Sequence, residues 1–295
     1  MTKTIVGVHL AGLALLAATL LYPNLAQAHG VVGDRFFPAT IASDDPFAAD
    51  ELALPTVTLG NHEEDYDFEY SKTIFPHFAV SFAGGYVNAH PPGGPNASGW
   101  DNFEITPVWQ FLTDADSEFV ASAGMSFEIG GSGAHAIADT FTTYTPELLV
   151  GKGFGDLPDS MAMLRPLAVT GVLAYAIPGT SGESKTLQWS GAVEYSLLYL
   201  QNNVRAQGFS KFVAHLTPLV EFAFSTPTDT GGGGTTGTIN PGLVWSGQSI
   251  QLGAEAVIPV NHASGDNVGV LMQLHFYVDD LFPHSLGTPL FGGRP

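Results

Sequence analysis

A chain of 295 residues with 45% hydrophobic residues, 13% charged residues and a formal net charge of −19 has about half the charge density of an average soluble protein, roughly 25%. Its acidic balance repels nucleic acid and excludes a phosphate-backbone partner. The absence of cysteine excludes disulfide frameworks, thiolate nucleophiles, Cys-ligated metals and thiol lipidation.

The chain opens on Met1, Thr2 and Lys3, followed by an apolar stretch over 5–21 and the small-x-small triplet Ala26-Gln27-Ala28. That layout predicts a cleaved export signal over 1–28, with His29 as the mature N-terminus. Residues 29–53 hold Phe36-Phe37-Pro38 and Asp44-Asp45-Pro46-Phe47 without a sustained period. They predict an irregular periplasmic arm or a plug in a barrel mouth. Beyond residue 28 no apolar run reaches the roughly 20 residues that a membrane-spanning helix needs.

From residue 54 the pattern becomes period two, the spacing of a strand with one apolar and one polar face. The apolar rows are Phe78, Val80, Phe82 and Tyr86; Phe103, Ile105, Trp109 and Phe111; and Phe119, Ala121, Ala123, Met125, Phe127 and Ile129. They continue as Leu187, Trp189, Val193, Tyr195, Leu197 and Tyr199; Phe212, Leu216, Val220, Phe222 and Phe224; Ile250, Leu252, Ala254, Ala256 and Ile258; and Val268, Val270, Met272, Leu274, Phe276 and Val278. Greasy and polar residues alternate without forming a block, which fits an antiparallel transmembrane β-barrel.

Long Gly/Pro-rich connections at 89–99, 130–140 and 226–237 interleave with tight ones at 72–76, 113–116, 205–208 and 246–248. Outer-membrane barrels have long outer loops and short periplasmic turns, so each connection takes a side, with 151–160 too long for its own. A first strand at 52–59 and a last strand at 267–280 that ends in the periplasm require an even number. The expectation is an all-β barrel of about twelve strands over 54–280, with ten as the fallback and a periplasmic tail over 281–295. Pro107, Pro146, Pro166, Pro218 and Pro241 each lack a ladder donor and are expected at bulges or strand ends.

The run His29-Gly30-Val31-Val32-Gly33-Asp34-Arg35-Phe36-Phe37-Pro38-Ala39-Thr40, with Asp44-Asp45-Pro46-Phe47, Asp50-Glu51-Leu52 and Tyr70-Ser71-Lys72, resembles outer-membrane transporters grouped with the meta-pathway phenol-degradation barrel proteins. The resemblance spans most of the mature chain and implies a barrel that passes small molecules, aromatic or apolar ones among them. Many such barrels end on an aromatic residue, whereas this chain continues to Gly292-Gly293-Arg294-Pro295. The assembly signal is then expected around Phe276-Tyr277-Val278.

If the apolar rows face lipid, the alternate positions put Glu104, Glu118, Glu128, Glu147, Glu194, Glu221 and Glu255 inside, with His215 and His275. Carboxylates lining a pore concentrate cations and hinder anions. The alternative is a packed, non-conducting interior in which they bond to one another, to hydroxyls and to the histidines. Glu194 and Glu221 are expected to be the clearest tests of selectivity. A free N-terminal His29 offers its amine and ring nitrogen as a chelate for Cu(II) or Ni(II), with His62 or His77 as a further ligand of a copper site if the arm folds back. No other cofactor is expected.

Enzymatic signatures are missing: there is no Gly-x-Ser-x-Gly, no His-Glu-x-x-His and no P-loop. Gly151-Lys152-Gly153-Phe154-Gly155 has no phosphate-cradle spacing and predicts a turn. Asp114-Ala115-Asp116-Ser117-Glu118 has Phe119 where a calcium loop needs glycine and predicts an acidic turn. Trp100, Trp109, Trp189 and Trp245, with Tyr66, Tyr70 and Tyr144, fall where an interfacial girdle belongs. The expectation is a monomeric outer-membrane channel for small solutes, surrounded by lipid. The alternative is a closed binding or structural barrel, metal-binding through His29.

Overall fold

The computed structural model describes residues 30–60 and 62–292. The expected export signal over 1–28 and the expected chelate at His29 lie outside the described residues. A two-stranded hairpin, β1 (Val31–Val32) and β2 (Arg35–Phe36), begins the described chain. The strands that follow are β3 (Glu51–Gly60), β4 (Glu63–Phe75), β5 (Phe78–Ala89), β6 (Ala97–Trp100), β7 (Glu104–Asp114), β8 (Phe119–Glu128) and β9 (Thr143–Gly153). After these come β10 (Leu167–Pro178), β11 (Thr186–Tyr195), β12 (Leu216–Pro227), β13 (Thr236–Ser246), β14 (Ile250–Pro259) and β15 (Gly269–Tyr277).

Each strand from β3 to β15 pairs antiparallel with its neighbours, and β15 pairs back onto β3 through Tyr277↔Glu51 and Val270↔Leu59. The short β6 extends β7 along the far end of β5, separated from it by residues 101–103, so twelve strands close the ring. Closure leaves no edge, so the ladder satisfies the backbone of every wall strand, as a barrel in lipid requires. The parity read from the sequence holds within the strands, but Leu197, Tyr199, Phe212 and Val278 leave their rows for helical segments at the rim. Phe82, Ile105, Trp109, Met125, Leu173, Trp189, Leu243 and Leu252 are exposed on the outer face, while Thr106, Ser122, Ser126, Thr170, Thr217, Gln251 and His275 are buried inside.

β3 begins and β15 ends at the same rim, which also carries the connections 76–77, 115–118, 154–166, 196–215 and 247–249. Two of these are not tight turns. Residues 154–166 contain a 3-10 helix, Asp159–Leu164, and 196–215 contain two short helical segments, so the expected tight turn at 205–208 is part of a long helical connection. Proline also departs from expectation. Pro107, Pro146, Pro218 and Pro241 sit within strands without a register slip, because residues on either side keep their partners. The bulges fall instead on β3 at 53–56, around Pro55, where the register slips against both neighbours, on β4 at 73–75 and on β7 at 110–112. Pro166 immediately precedes β10.

After β15 the chain makes a helical turn, Val278–Leu281, and crosses the rim so that Leu290 and Phe291 bond to the Thr73 and Ile74 carbonyls of β4. Asp279 is buried in that turn, and burial, followed by the nearby Asp280 and Glu51 carboxylates, pushes its pKa up to about 7. The folded protein therefore keeps a proton that the unfolded chain releases near pH 4. The stabilisation is complete below about pH 4 and is lost as pH rises to about 7. Asp279→Asn should flatten this slope, measured as midpoint against pH in urea titrations. An unchanged slope would assign it to other carboxylates.

Candidate functional site

Residues 30–50 enter the ring at the rim where β3 begins and are bonded to inward side chains around the lumen. The Arg35 side chain is fully buried and donates to Glu118 Oε2 at 3.2 Å, to the Pro166 carbonyl at 2.9 Å and to the Arg165 carbonyl. Its guanidinium also lies 4.0 Å from the Tyr199 ring centre. Gln251 acts as a backbone surrogate, accepting from Ala39 N at 3.1 Å and donating to Ala39 O at 2.7 Å. Glu221 accepts three consecutive backbone N–H groups, from Ile41 at 2.7 Å and from Ala42 and Ser43 at 2.9 Å each. Ser122 donates to the Pro46 carbonyl, Ser71 donates to the Ala49 carbonyl, and Asp50 accepts from Lys72 and Thr73 N.

Apolar residues complete the seat. Val32, Phe37, Phe47 and Ala49 of the arm pack with Val120 and Ala168 of the wall. Inward glycines make the room. A Cβ at Gly153 would lie 2.1 Å from Glu118 Oε2 and 2.8 Å from Arg35 Nε, and one at Gly155 would lie 2.2 Å from Glu118 Oε1. The glycine run 151–155 thus ends β9 and also seats the buried ion pair, a role its turn reading did not include.

Above the arm is a cavity of about 580 Å³. One side of its lining carries Glu51, Glu69, Glu104 and Glu147 with Asp44 and Asp45 of the arm, and the other carries Leu149, Val172, Ala174 and Ala223 among Gln188, Ser190, Ser225 and Thr238. A second cavity of about 420 Å³ toward the far rim is bounded by Glu63, Asp65, Asp67, Asp101 and Glu104. Among the described residues no Lys or Arg occupies an inward position on the wall strands β3–β15. Arg35 of the arm is spent on Glu118, Lys72 and Lys152 have outward parity, with Lys72 turned at the rim to Asp50, and Arg165, Lys185, Arg205 and Lys211 lie in connections.

The nine residues singled out from the sequence fall into five environments. Glu104 accepts from Thr106 at 3.1 Å, Glu128 opposite it accepts from Asn102 at 2.9 Å, and Glu147 lies across Gly124. These three line or approach the open space. Glu194, Glu221 and Glu255 are 2%, 0% and 3% exposed beneath the arm, so Glu194 and Glu221 do not serve as the selectivity probes expected of them. Glu118 occupies the β7–β8 turn at φ +50° and pairs with Arg35. His275 is buried on β15 and bonded to Glu51 at 2.8 Å. His215 is not in the lumen: it ends a short helix at the rim, with Nδ1 2.6 Å from the Ser246 carbonyl.

Sequence reasoning missed Asp65, Asp67 and Glu69. Their signal is plain in β4, where they alternate with Tyr66, Phe68 and Tyr70. The run of charge hid the period. Among the described residues no three His, Asp or Glu side chains converge as a metal-holding group.

An apolar outer belt, an acidic interior and a twelve-strand closed ladder define a β-barrel of the outer-membrane type. No protein-family model matches the sequence, and no curated protein is similar to it. Solved structures share the fold. The KdgM porin aligns at TM-score 0.50 and 12% identity over 76% of this chain and 98% of its own. An outer membrane channel from Pseudomonas putida F1 aligns at TM-score 0.52 and 8% identity over 82% and 99%.

Proposed function

We propose that the protein is an outer-membrane channel through which small solutes pass passively, cations in preference to anions, along a lumen narrowed by residues 30–50. The observation that carries this reading is the set of inward carboxylates around open space with no inward cation on the wall strands β3–β15. Fixed charge of one sign in a confined lumen raises the local concentration of counter-ions. The apolar wall of Leu149, Val172 and Ala174 supports solutes with an apolar body, in keeping with the aromatic or apolar molecules implied by the sequence resemblance. A closed barrel with a structural or binding role is the second reading, and the depth to which the arm is buried favours it.

Planar-bilayer recordings separate the two. Replacing Glu104 and Glu147 together by Gln should lower the cation-over-anion permeability ratio by about twofold or more. The difference should shrink toward 1 M salt, where the Debye length falls to about 3 Å. An unaltered ratio would remove these carboxylates from the conduction path, and an absence of current would favour the closed barrel.

A further inference from the structure

We propose that Glu221, Glu255 and Asn240 form a binding site for a calcium ion that fastens the arm to the barrel wall. The site lies on three neighbouring strands. Glu221 on β12 stands opposite Asn240 on β13 in the register, and Glu255 on β14 stands opposite Gly242. A Cβ at Gly242 would lie 2.5 Å from Glu255 Cγ. The missing side chain therefore lets Glu255 lie flat across β13 toward Glu221 and Asn240, both of which are its neighbours.

What this arrangement lacks is enough donors. The Asn240 side chain approaches the Glu255 carboxylate, which also abuts that of Glu221, yet neither Glu255 oxygen nor the Asn240 amide oxygen has a partner in hydrogen-bond geometry, in side chains 3% and 2% exposed. Glu221 already uses its carboxylate to hold the N–H groups of Ile41, Ala42 and Ser43. The Ser43 hydroxyl oxygen is likewise buried without a partner. Two adjacent carboxylates in such a place are strongly destabilising unless their charge is met.

A divalent cation meets that charge with its own. The donors are all oxygen, which selects a hard ion over a transition metal. Calcium accepts mixed carboxylate, amide and hydroxyl oxygens in irregular geometry, whereas magnesium demands a near-ideal octahedron. Each carboxylate has about four lone-pair sites, so Glu221 can hold the arm and the ion together. The arm is seated over the same spot: a Cβ at Gly253 would lie 2.2 Å from Ile41 Cδ1, so an inward glycine admits Ile41 next to the site. Bound calcium would thus tie β12, β13 and β14 to residues 41–43.

The test uses the whole barrel folded in detergent and stripped with EDTA, and none of its readouts needs a current, so it stands apart from the conduction experiment. Calorimetric titration with calcium chloride should give one saturable site per barrel. Glu255→Gln should weaken it at least tenfold, while the exposed rim variant Asp159→Asn leaves it unchanged. Should Glu255→Gln fail to fold, the wild-type chain still decides the matter, because trypsin cleavage after Arg35 should be slower in calcium than in EDTA. No saturable uptake, full affinity in Glu255→Gln, or equal cleavage rates would each overturn the proposal. A proton shared between the two glutamates would then be the neutralising group.

Discussion

Deletion of residues 30–50 is expected to raise the single-channel conductance several-fold. The arm occupies the lumen at the rim where β3 begins, and its anchors run to β4, β7, β8, β12 and β14. A twelve-strand ring is wider than the eight-strand barrels whose own side chains fill the interior, so here an internal segment sets the narrowest point. Removing an internal segment therefore widens the tightest part of the path. The wall itself closes through the β15–β3 ladder, which begins at Glu51 and does not use the arm. Unchanged conductance in a correctly folded deletion variant would mean that the path is blocked elsewhere.

The largest loss of stability is expected from Arg35→Met, at about 3–5 kcal/mol, the usual cost of leaving one member of a buried ion pair without its partner. Arg35 is fully buried, and its partner Glu118 is 4% exposed. Without the guanidinium, Glu118 keeps only uncharged donors such as Gly155 N at 3.0 Å. The Pro166 carbonyl loses its 2.9 Å donor, and the Arg165 carbonyl loses one as well. Arg35→Met with Glu118→Gln should recover a substantial part of the loss, since no buried charge is then left over. Denaturant unfolding in lipid vesicles reads both variants. A single-variant loss below about 1 kcal/mol would show that Arg35 is solvated and the arm only loosely seated.

These two outcomes concern the arm, the part of the molecule least legible in the sequence. The wall was legible because period-two alternation is a local property: Trp109, Met125, Trp189 and Leu252 each declare their face by their nearest neighbours, and a slip of one residue would invert every face. That rule also placed Glu104, Glu128, Glu147, Glu194, Glu221 and Glu255 on the inner surface. It could not say which of them water reaches. Exposure depends on residues far away in the chain, as with Glu221, covered by Ile41 across a separation of 180 residues.

By itself, then, the sequence determined an acidic barrel of about twelve strands, which residues face lipid and which face inward, and that both ends of the strand series meet at one rim. Backbone closure and hydrophobic patterning leave little freedom in those matters. Only the tertiary structure decided that residues 30–50 lie inside the ring, that Gly151-Lys152-Gly153-Phe154-Gly155 makes room for Arg35 and Glu118, that His215 belongs to a rim connection, and that the inner carboxylates divide into an open set and a covered one. These are outcomes of packing between segments distant in sequence, where the space left by a glycine or the reach of one arginine selects among arrangements that local periodicity treats as equal.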